Sequence, residues 1–143
     1  MFDRSIRSVM QRGKMLKAPP ETLVSKAAKL MATKNVGAIM VVADELLVGI
    51  FTERDIVCRV VAPGLDAKAI RIDAVMTPTP QTIGPNDPFG YALLMMHEKG
   101  FRHLPVVEDG KPIGIVSSRS AMDPELEEFV SEARRREHFG AKR

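Results

Sequence analysis

The 143-residue sequence contains a single cysteine, Cys58, and no long apolar run. One thiol cannot form an intramolecular disulfide, so nothing in the sequence requires an oxidising compartment. No window reaches the roughly 18 apolar residues that a membrane-spanning helix needs, and the N-terminus lacks the apolar stretch of a signal peptide. These absences predict a cytoplasmic protein that is neither secreted nor inserted in a membrane.

The sequence also has little excess charge and no recognisable catalytic pattern. Its 21 basic and 18 acidic residues give a net charge of +3, which does not indicate a nucleic-acid-binding surface unless the charge is clustered. There is no Ser-His-Asp, paired-carboxylate or glycine-rich phosphate-loop pattern, and His97, His103 and His138 share no metal-ligand spacing. We therefore expect neither an enzyme nor a metal site.

The sequence does contain a repeated unit, present in two copies. Residues 20–55 align without a gap on residues 85–120 and match at ten positions, where average composition gives roughly two. The segments "SIRSVM" (5–10) and "RIDAVM" (71–76) match at an offset of 66. The chain is thus predicted to be a tandem duplication with a tail. The predicted units are repeat 1 at 5–65, repeat 2 at 66–122 and a C-terminal helix at 123–143.

Each repeat has the pattern of a helix, two strands and a second helix. Thr22 is placed to cap the first helix of repeat 1, and Asp87 followed by Pro88 to begin its counterpart. Apolar runs separated by turn residues predict two hairpins, which follow lead-in strands near 15–19 and 79–83. An apolar face of Ile56, Val57, Val60 and Val61 predicts a helix over 53–62 with Cys58 buried, and a shorter helix is predicted at 118–122.

The predicted fold class is α+β. A repeat of about 55 residues buries too little surface to be stable alone, so the two copies are expected to share a core, packed sheet to sheet. Packing of this kind about a pseudo-twofold axis creates two equivalent clefts between the repeats, where a ligand site is expected.

Four short motifs occur in a fixed order and spacing: the doubled "VM" at 9–10 and 75–76, "RHLPVV" at 102–107, "GIFTERD" at 49–55 and "GIVSSRS" at 114–120. With these motifs, residues 5–122 resemble a tandem CBS-domain pair, also called a Bateman module. The resemblance implies two pseudo-twofold-related repeats that bind an adenine nucleotide (AMP, ADP or ATP, sometimes S-adenosylmethionine or a dinucleotide such as NAD) and commonly form a homodimer. It does not imply catalysis.

The first signature contains residues suited to a ribose. A carboxylate can accept hydrogen bonds from both hydroxyls of a diol, and each of these charge-assisted bonds contributes roughly 1.5–3 kcal/mol. Asp55 is the predicted acceptor. Thr52 lies three residues earlier, so its hydroxyl can face the same point if the turn is helical. The alternative is that Thr52 and Asp55 merely cap a helix. The predicted walls for the adenine are Ile50, Pro80, Gln81 and Ile83.

The resemblance places the phosphate ligands of this cleft in repeat 2, at Arg102, His103 and Arg119. A guanidinium matches phosphate oxygens, and an imidazole can become a cation near neutral pH. The alternative is a surface turn with solvated basic side chains.

The second cleft is predicted to be weaker than the first. Ser117 and Ser120 stand where the first repeat has Thr52 and Asp55, and a neutral hydroxyl cannot replace a carboxylate as the acceptor for a diol. The matching phosphate positions of repeat 1, Gly37 and Ala38, are uncharged. One nucleotide per chain is therefore expected.

The tail begins like a helix, with Asp123 at the cap, Pro124 in the first turn and three arginines at 134–136. Its apolar stripe is expected to pack on its own pair or on a dimer mate. The predicted function is a stand-alone regulatory module that binds an adenine nucleotide and changes its shape or its affinity for an effector protein. A ligand-free dimerisation scaffold and, less favoured, a nucleic-acid-associated stress protein remain alternatives.

Overall fold

The structure is a computed structural model that describes residues 3–10, 15–118 and 132–136. Repeat 1 contains α1 (Ile6–Val9), β1 (Lys17–Ala18), α2 (Val24–Lys34), β2 (Ala38–Ala43), β3 (Leu46–Thr52) and α3 (Glu53–Asp55), which continues as a π-helix over Ile56–Val61. Repeat 2 contains a 3-10 turn (Ile72–Ala74), β4 (Thr77–Pro78), α4 (Phe89–Lys99), β5 (His103–Glu108) and β6 (Lys111–Ser117).

The two hairpins have the same register, 65 residues apart. Ala38 pairs with Thr52 in the first hairpin, and His103 pairs with Ser117 in the second. The bulge between residues 41 and 42 recurs between residues 106 and 107. The predicted duplication and the α+β class are confirmed.

The first helices of the repeats, α2 and α4, also correspond at an offset of 65. Each has 11 residues, and each ends at a residue in the left-handed conformation, Asn35 with φ 54° and Gly100 with φ 75°. Asn and Gly adopt this conformation more readily than other residues, so the predicted helix ends are confirmed.

The prediction that Thr22 caps α2 is wrong. The N-cap residue is Leu23, and the Thr22 hydroxyl instead donates a hydrogen bond to the carbonyl oxygen of Pro19 at 2.7 Å. The free N–H groups at the helix start are satisfied by the main chain of the other repeat, because Val24 N donates to Ile70 O at 2.8 Å. In repeat 2 the helix begins after Pro88, and the Asp87 carboxylate accepts a bond from Gly84 N at 2.8 Å.

The segments that lead into the two repeats are exchanged. Residues 5–10 pack on the core of repeat 2, and residues 70–76 pack on the core of repeat 1. Ile6 N donates to Asp87 O at 2.9 Å, and the equivalent Ile72 N donates to Thr22 O at 2.8 Å. Both isoleucine side chains are fully buried. Each repeat therefore needs a segment of the other to complete its core.

Strand β4 belongs to the sheet of repeat 1, although it lies in the sequence of repeat 2. Its Pro78 pairs with Gly49 of β3, giving a four-stranded sheet in the order β1-β2-β3-β4 beside the two-stranded sheet β5-β6. A Cβ at Gly49 would overlap the Met76 side chain, which would have to move to admit it. Of the lead-in strand predicted at 79–83, Ile83 pairs with Val106 as an isolated parallel bridge.

Each repeat has its own apolar core, and a small cluster joins them. Ala38, Ile50 and Ile115 form this joint, where β3 of one sheet contacts β6 of the other. The two sheets therefore face each other as predicted. The core of repeat 1 contains Val24, Ala27, Met31, Ile39, Val41, Phe51, Val60 and Ile72, and that of repeat 2 contains Ile6, Ile83, Phe89, Ala92, Leu104, Val106 and Val116.

The prediction of a buried Cys58 is wrong, because the thiol is exposed. The helix begins at Glu53 as predicted but widens into a π-helix, in which Ala62 N donates to Val57 O, five residues back, at 2.9 Å. The residues of the predicted apolar face do not all enter the core. Val60 enters the core with Ile56 against it, whereas Val57 is 60% exposed.

Most of the predicted C-terminal helix, including Asp123 and Pro124, lies outside the described residues, as does the short helix predicted at 118–122 apart from residue 118. Residues 132–136 are helical, with an ion pair between Arg136 and Glu132 at 3.2 Å. No helix in the described part of the chain has the length and apolarity to cross a membrane.

Candidate functional site

A cavity of about 380 Å³ lies between the two repeats. It opens where β2 and β5 begin and where β6 ends, beside the apolar joint between the sheets. Repeat 1 contributes Met15, Leu16, Asn35, Val36, Gly37, Ala38 and Glu53 to its lining, and repeat 2 contributes Arg102, His103, Ile115, Ser117 and Ser118.

The two sides of the cavity are equivalent in backbone and different in charge. Gly37 lies just before β2, and Ala38 is the first residue of that strand. Arg102 and His103 occupy the equivalent positions, 65 residues later, at the start of β5. Repeat 1 thus has small, uncharged residues at these positions, whereas repeat 2 has an arginine and a histidine. Such an arrangement gives an anion a cationic wall and room opposite it.

The His103 ring reaches across the cavity to repeat 1. Its Cε1 and Nε2 atoms lie 3.1 Å from the position that a Cβ on Gly37 would occupy. Burial lowers the pKa of His103, the Glu53 carboxylate opposes this shift and the Arg102 guanidinium adds to it. The imidazole is therefore less readily protonated than an exposed histidine, although a bound anion beside it would favour the charged form.

Glu53 is a cavity residue that the sequence analysis did not identify. Its Oε1 atom lies 3.1 Å from the same Gly37 Cβ position, and its backbone N–H donates to Gly37 O at 3.0 Å. The signal available in the sequence was its place between Thr52 and Asp55, at the first turn of a helix that starts beside β2. The cavity consequently has groups of both signs.

Thr52 and Asp55 form a reciprocal capping box at the start of α3 and do not line the cavity. Asp55 Oδ2 accepts hydrogen bonds from Thr52 N at 2.9 Å and from Thr52 Oγ1 at 3.2 Å. Asp55 Oδ1 faces Arg59 Nε at 3.6 Å, and the aspartate is only 7% exposed. The capping alternative is thus present in the structure, with one carboxylate oxygen turned toward an arginine.

The four residues predicted to flank an adenine are dispersed. Ile50 lies in the joint between the sheets, and Ile83 lies in the core of repeat 2. Pro80 is half-buried and Gln81 is exposed. The lead-in residues that do line the cavity are Met15 and Leu16 of repeat 1.

The cavity therefore combines parts of both predicted clefts. Arg102 and His103 were predicted for the first cleft, whereas Ser117, Gly37 and Ala38 were assigned to the second. The remaining predicted positions, Arg119 and Ser120, lie outside the described residues. Within residues 3–10, 15–118 and 132–136, no three His, Cys, Asp or Glu side chains are grouped so as to hold a metal ion.

Known proteins resemble this chain in sequence over both repeats. The CBS domain family matches it twice, at residues 6–62 and 72–124. Meiotically up-regulated gene 70 protein of Schizosaccharomyces pombe is 41% identical over 71% of the chain, and CBS domain-containing protein CBSCBSPB1 of Arabidopsis thaliana is 34% identical over 81%. The chain spans 16% and 22% of the lengths of these two relatives.

Solved structures share the fold. An uncharacterized conserved protein from Pyrococcus horikoshii has a TM-score of 0.79 with 33% identity, covering 85% of this chain and 92% of its own. The crystal structure of CBSX2 in complex with AMP has a TM-score of 0.73 with 26% identity, covering 86% of this chain and 96% of its own. With two family matches on two equivalent halves, the chain belongs to the CBS-domain family and carries two CBS domains in tandem.

Proposed function

We propose that the chain is a regulatory module that binds an adenine nucleotide in the cavity between its CBS domains. The observation that carries this proposal is the placement of Arg102 and His103 opposite Gly37 and Ala38, at a cavity whose volume lies within the roughly 300–1,000 Å³ of small-molecule sites. The AMP complex of CBSX2, which has the same fold, supports an adenine nucleotide as the ligand.

In this proposal the phosphate contacts Arg102 and His103, with Arg119 as a further cationic ligand. The sugar is assigned to Asp55, which follows the lining residue Glu53 by two positions but is not itself in the lining, through the oxygen that faces Arg59 at 3.6 Å. Because Thr52 already occupies the other oxygen, a ribose diol would have to share or displace the Arg59 contact. Ligand binding would then also affect the hydrogen bonds that Arg59 donates to the carbonyl oxygens of Val75 and Met76.

The output of the module is a ligand-dependent change of shape or of affinity for an effector protein, with a homodimer as the proposed assembly. A nucleotide can shift such an equilibrium only by its difference in affinity between the two states. No catalytic role is proposed.

A second candidate function is a ligand-free dimerisation scaffold. Two observations favour it: Thr52 and Asp55 are already engaged in a capping box, and Val57, Val61 and Leu65 expose apolar side chains around the end of the π-helix. Contiguous exposed apolar residues often mark a protein interface.

Isothermal titration with AMP separates the two candidates. We expect one AMP per chain, weakened about tenfold or more by Arg102→Gln, since a charge-assisted hydrogen bond contributes roughly 1.5–3 kcal/mol. Asp55→Asn, which keeps an acceptor for the cap, should also weaken binding. Lys29→Gln removes one exposed charge from α2 and serves as the control.

Two outcomes would contradict the proposal. Absence of both AMP binding and thermal stabilisation would leave the scaffold as the better account. Binding that Arg102→Gln and Lys29→Gln leave equally intact would show that AMP binds elsewhere.

A further inference from the structure

Glu53 brings a negative charge to the end of the cavity that the proposed function assigns to phosphate. Its Oε1 atom and the His103 Nε2 atom both lie 3.1 Å from the Gly37 Cβ position, so the carboxylate and the imidazole approach Gly37 at the same end of the cavity. The influence of Glu53 on the pKa of His103 has the same origin. A phosphate bound at His103 would therefore lie close to a carboxylate.

The described lining of the cavity contains few charges with which to balance an anion. Arg102 is its one guanidinium and Glu53 its one carboxylate, so the two formal charges cancel. His103 can add a positive charge when an anion favours its protonation. One phosphate group, which carries about 1.5–2 negative charges near neutral pH, can be accommodated by such a set. Arg119, which the proposed function adds as a further cationic ligand, would contribute one more positive charge, which is still fewer than the negative charges of a triphosphate.

We propose that Glu53 is a specificity-determining residue that makes the cavity favour a nucleoside monophosphate over the corresponding triphosphate. The inference rests on the proposed function, because it concerns the same site. The β- and γ-phosphates of ATP extend from the α-phosphate and carry most of its additional charge, which the carboxylate repels. Repulsion between the Glu53 carboxylate and a phosphate charge several ångströms away, at the edge of a protein, changes the affinity for ATP relative to AMP by about tenfold.

Repeat 2 supplies a matched substitution for the test. Ser118 stands 65 positions after Glu53 and lines the same cavity with a neutral side chain. Glu53→Ser therefore gives the two repeats the same residue at this position, and Glu53→Gln removes the charge while keeping the shape. Glu98→Gln, at an exposed position near the end of α4, removes one negative charge outside the cavity and serves as the control.

The experiment measures the dissociation constants of AMP and ATP for each variant by isothermal titration, at pH 7.5, low ionic strength and with EDTA to remove divalent cations. We expect the ratio of the ATP constant to the AMP constant to fall about tenfold in Glu53→Gln and Glu53→Ser and to stay unchanged in Glu98→Gln. Raising the salt concentration should shrink the difference between wild type and the Glu53 variants.

Three results would overturn the inference. If AMP binds and the ratio is the same in wild type and both Glu53 variants, Glu53 does not set specificity, and the proposed function stands without it. If the variants weaken AMP and ATP equally, Glu53 is a contact common to both ligands. If neither nucleotide binds the wild-type protein, the proposed function fails together with the inference.

Discussion

The two CBS domains share a backbone and differ in the residues they present to the cavity. Their strands pair in the same register and their bulges coincide, yet uncharged residues of repeat 1 face nitrogen-bearing residues of repeat 2. Core packing and strand pairing limit what a duplicated unit can change, whereas the ends of its strands are free to acquire new chemistry. The differing pairs with both members in the cavity lining include Gly37 and Arg102, Ala38 and His103, and Glu53 and Ser118.

The outer faces of the first helices have diverged as well. Where α2 has Lys26 and Lys29, α4 has Tyr91 and Leu94, which are 58% and 53% exposed. The inner faces remain alike, with Ala27 and Ala92 both buried. A helix thus keeps the face that packs on its sheet and varies the face that does not.

The exchanged segments allow the strongest test of whether the repeats depend on each other. Ile6→Ala and Ile72→Ala each remove a fully buried side chain that packs on the core of the other repeat. Each is expected to lower the free energy of unfolding by about 2–5 kcal/mol. Urea denaturation should show one shifted transition in both variants. Two separate transitions would mean that the repeats unfold independently.

The next largest effect on stability is expected near β4, the strand of repeat 2 that joins the sheet of repeat 1. A Cβ at Gly49 would overlap the Met76 side chain, so Gly49→Ala should destabilise the protein by about 1–3 kcal/mol through overpacking. In a double-mutant cycle, Met76→Ala should relieve part of this loss, because it removes the atoms that clash. Additive losses would show that the cost of Gly49→Ala does not come from Met76.

The capping box in the first signature should have a smaller effect. Thr52→Ala removes the hydroxyl that accepts a hydrogen bond from Asp55 N at 3.3 Å and should reduce the free energy of unfolding by about 1 kcal/mol. Thr52→Ser keeps the hydroxyl and serves as the matched control. Equal losses in both variants would attribute the effect to the Thr52 methyl group.

The smallest expected effect is the pH dependence that comes from His103. Burial lowers the pKa of His103 in the folded protein, so below about 6.5 the unfolded chain binds more protons than the folded one. His103 therefore makes stability decrease as pH falls through 6.5, until pH drops below its folded pKa. His103→Gln should remove this part of the slope in denaturation curves from pH 7.5 to 5. An unchanged slope in His103→Gln would contradict this assignment.

Features set by neighbouring residues were predictable. The spacing of apolar residues located α2, α4 and both hairpins, and Asn35 and Gly100 marked the helix ends. Features that depend on which segments meet were not. Thr22 could not be excluded as a cap without knowing that the carbonyl oxygen of Ile70, in the other repeat, accepts a hydrogen bond from the first residue of α2. The exposed Cys58 lies in a π-helix, which the spacing of apolar residues does not reveal.

The candidate site divides in the same way. Arg102 and His103 were predicted from the resemblance to CBS-domain pairs, and both line the cavity. The role of Glu53 could not be predicted, because its approach to the cavity depends on the angle at which α3 leaves β3. The assignment of Asp55 to a ribose remains a prediction, and the capping box with Thr52 competes for one of its oxygens.

By itself, the sequence determined the duplication, the α+β class and the positions of most helices and strands, because hydrophobic periodicity and turn residues act over short distances along the chain. Only the tertiary structure decided that the lead segments are exchanged, that β4 joins the sheet of repeat 1 and that Glu53 and His103 both approach Gly37. These outcomes depend on contacts between residues that are far apart in the chain. Local preference does not specify such contacts, since several pairings of two similar repeats would satisfy the same pattern.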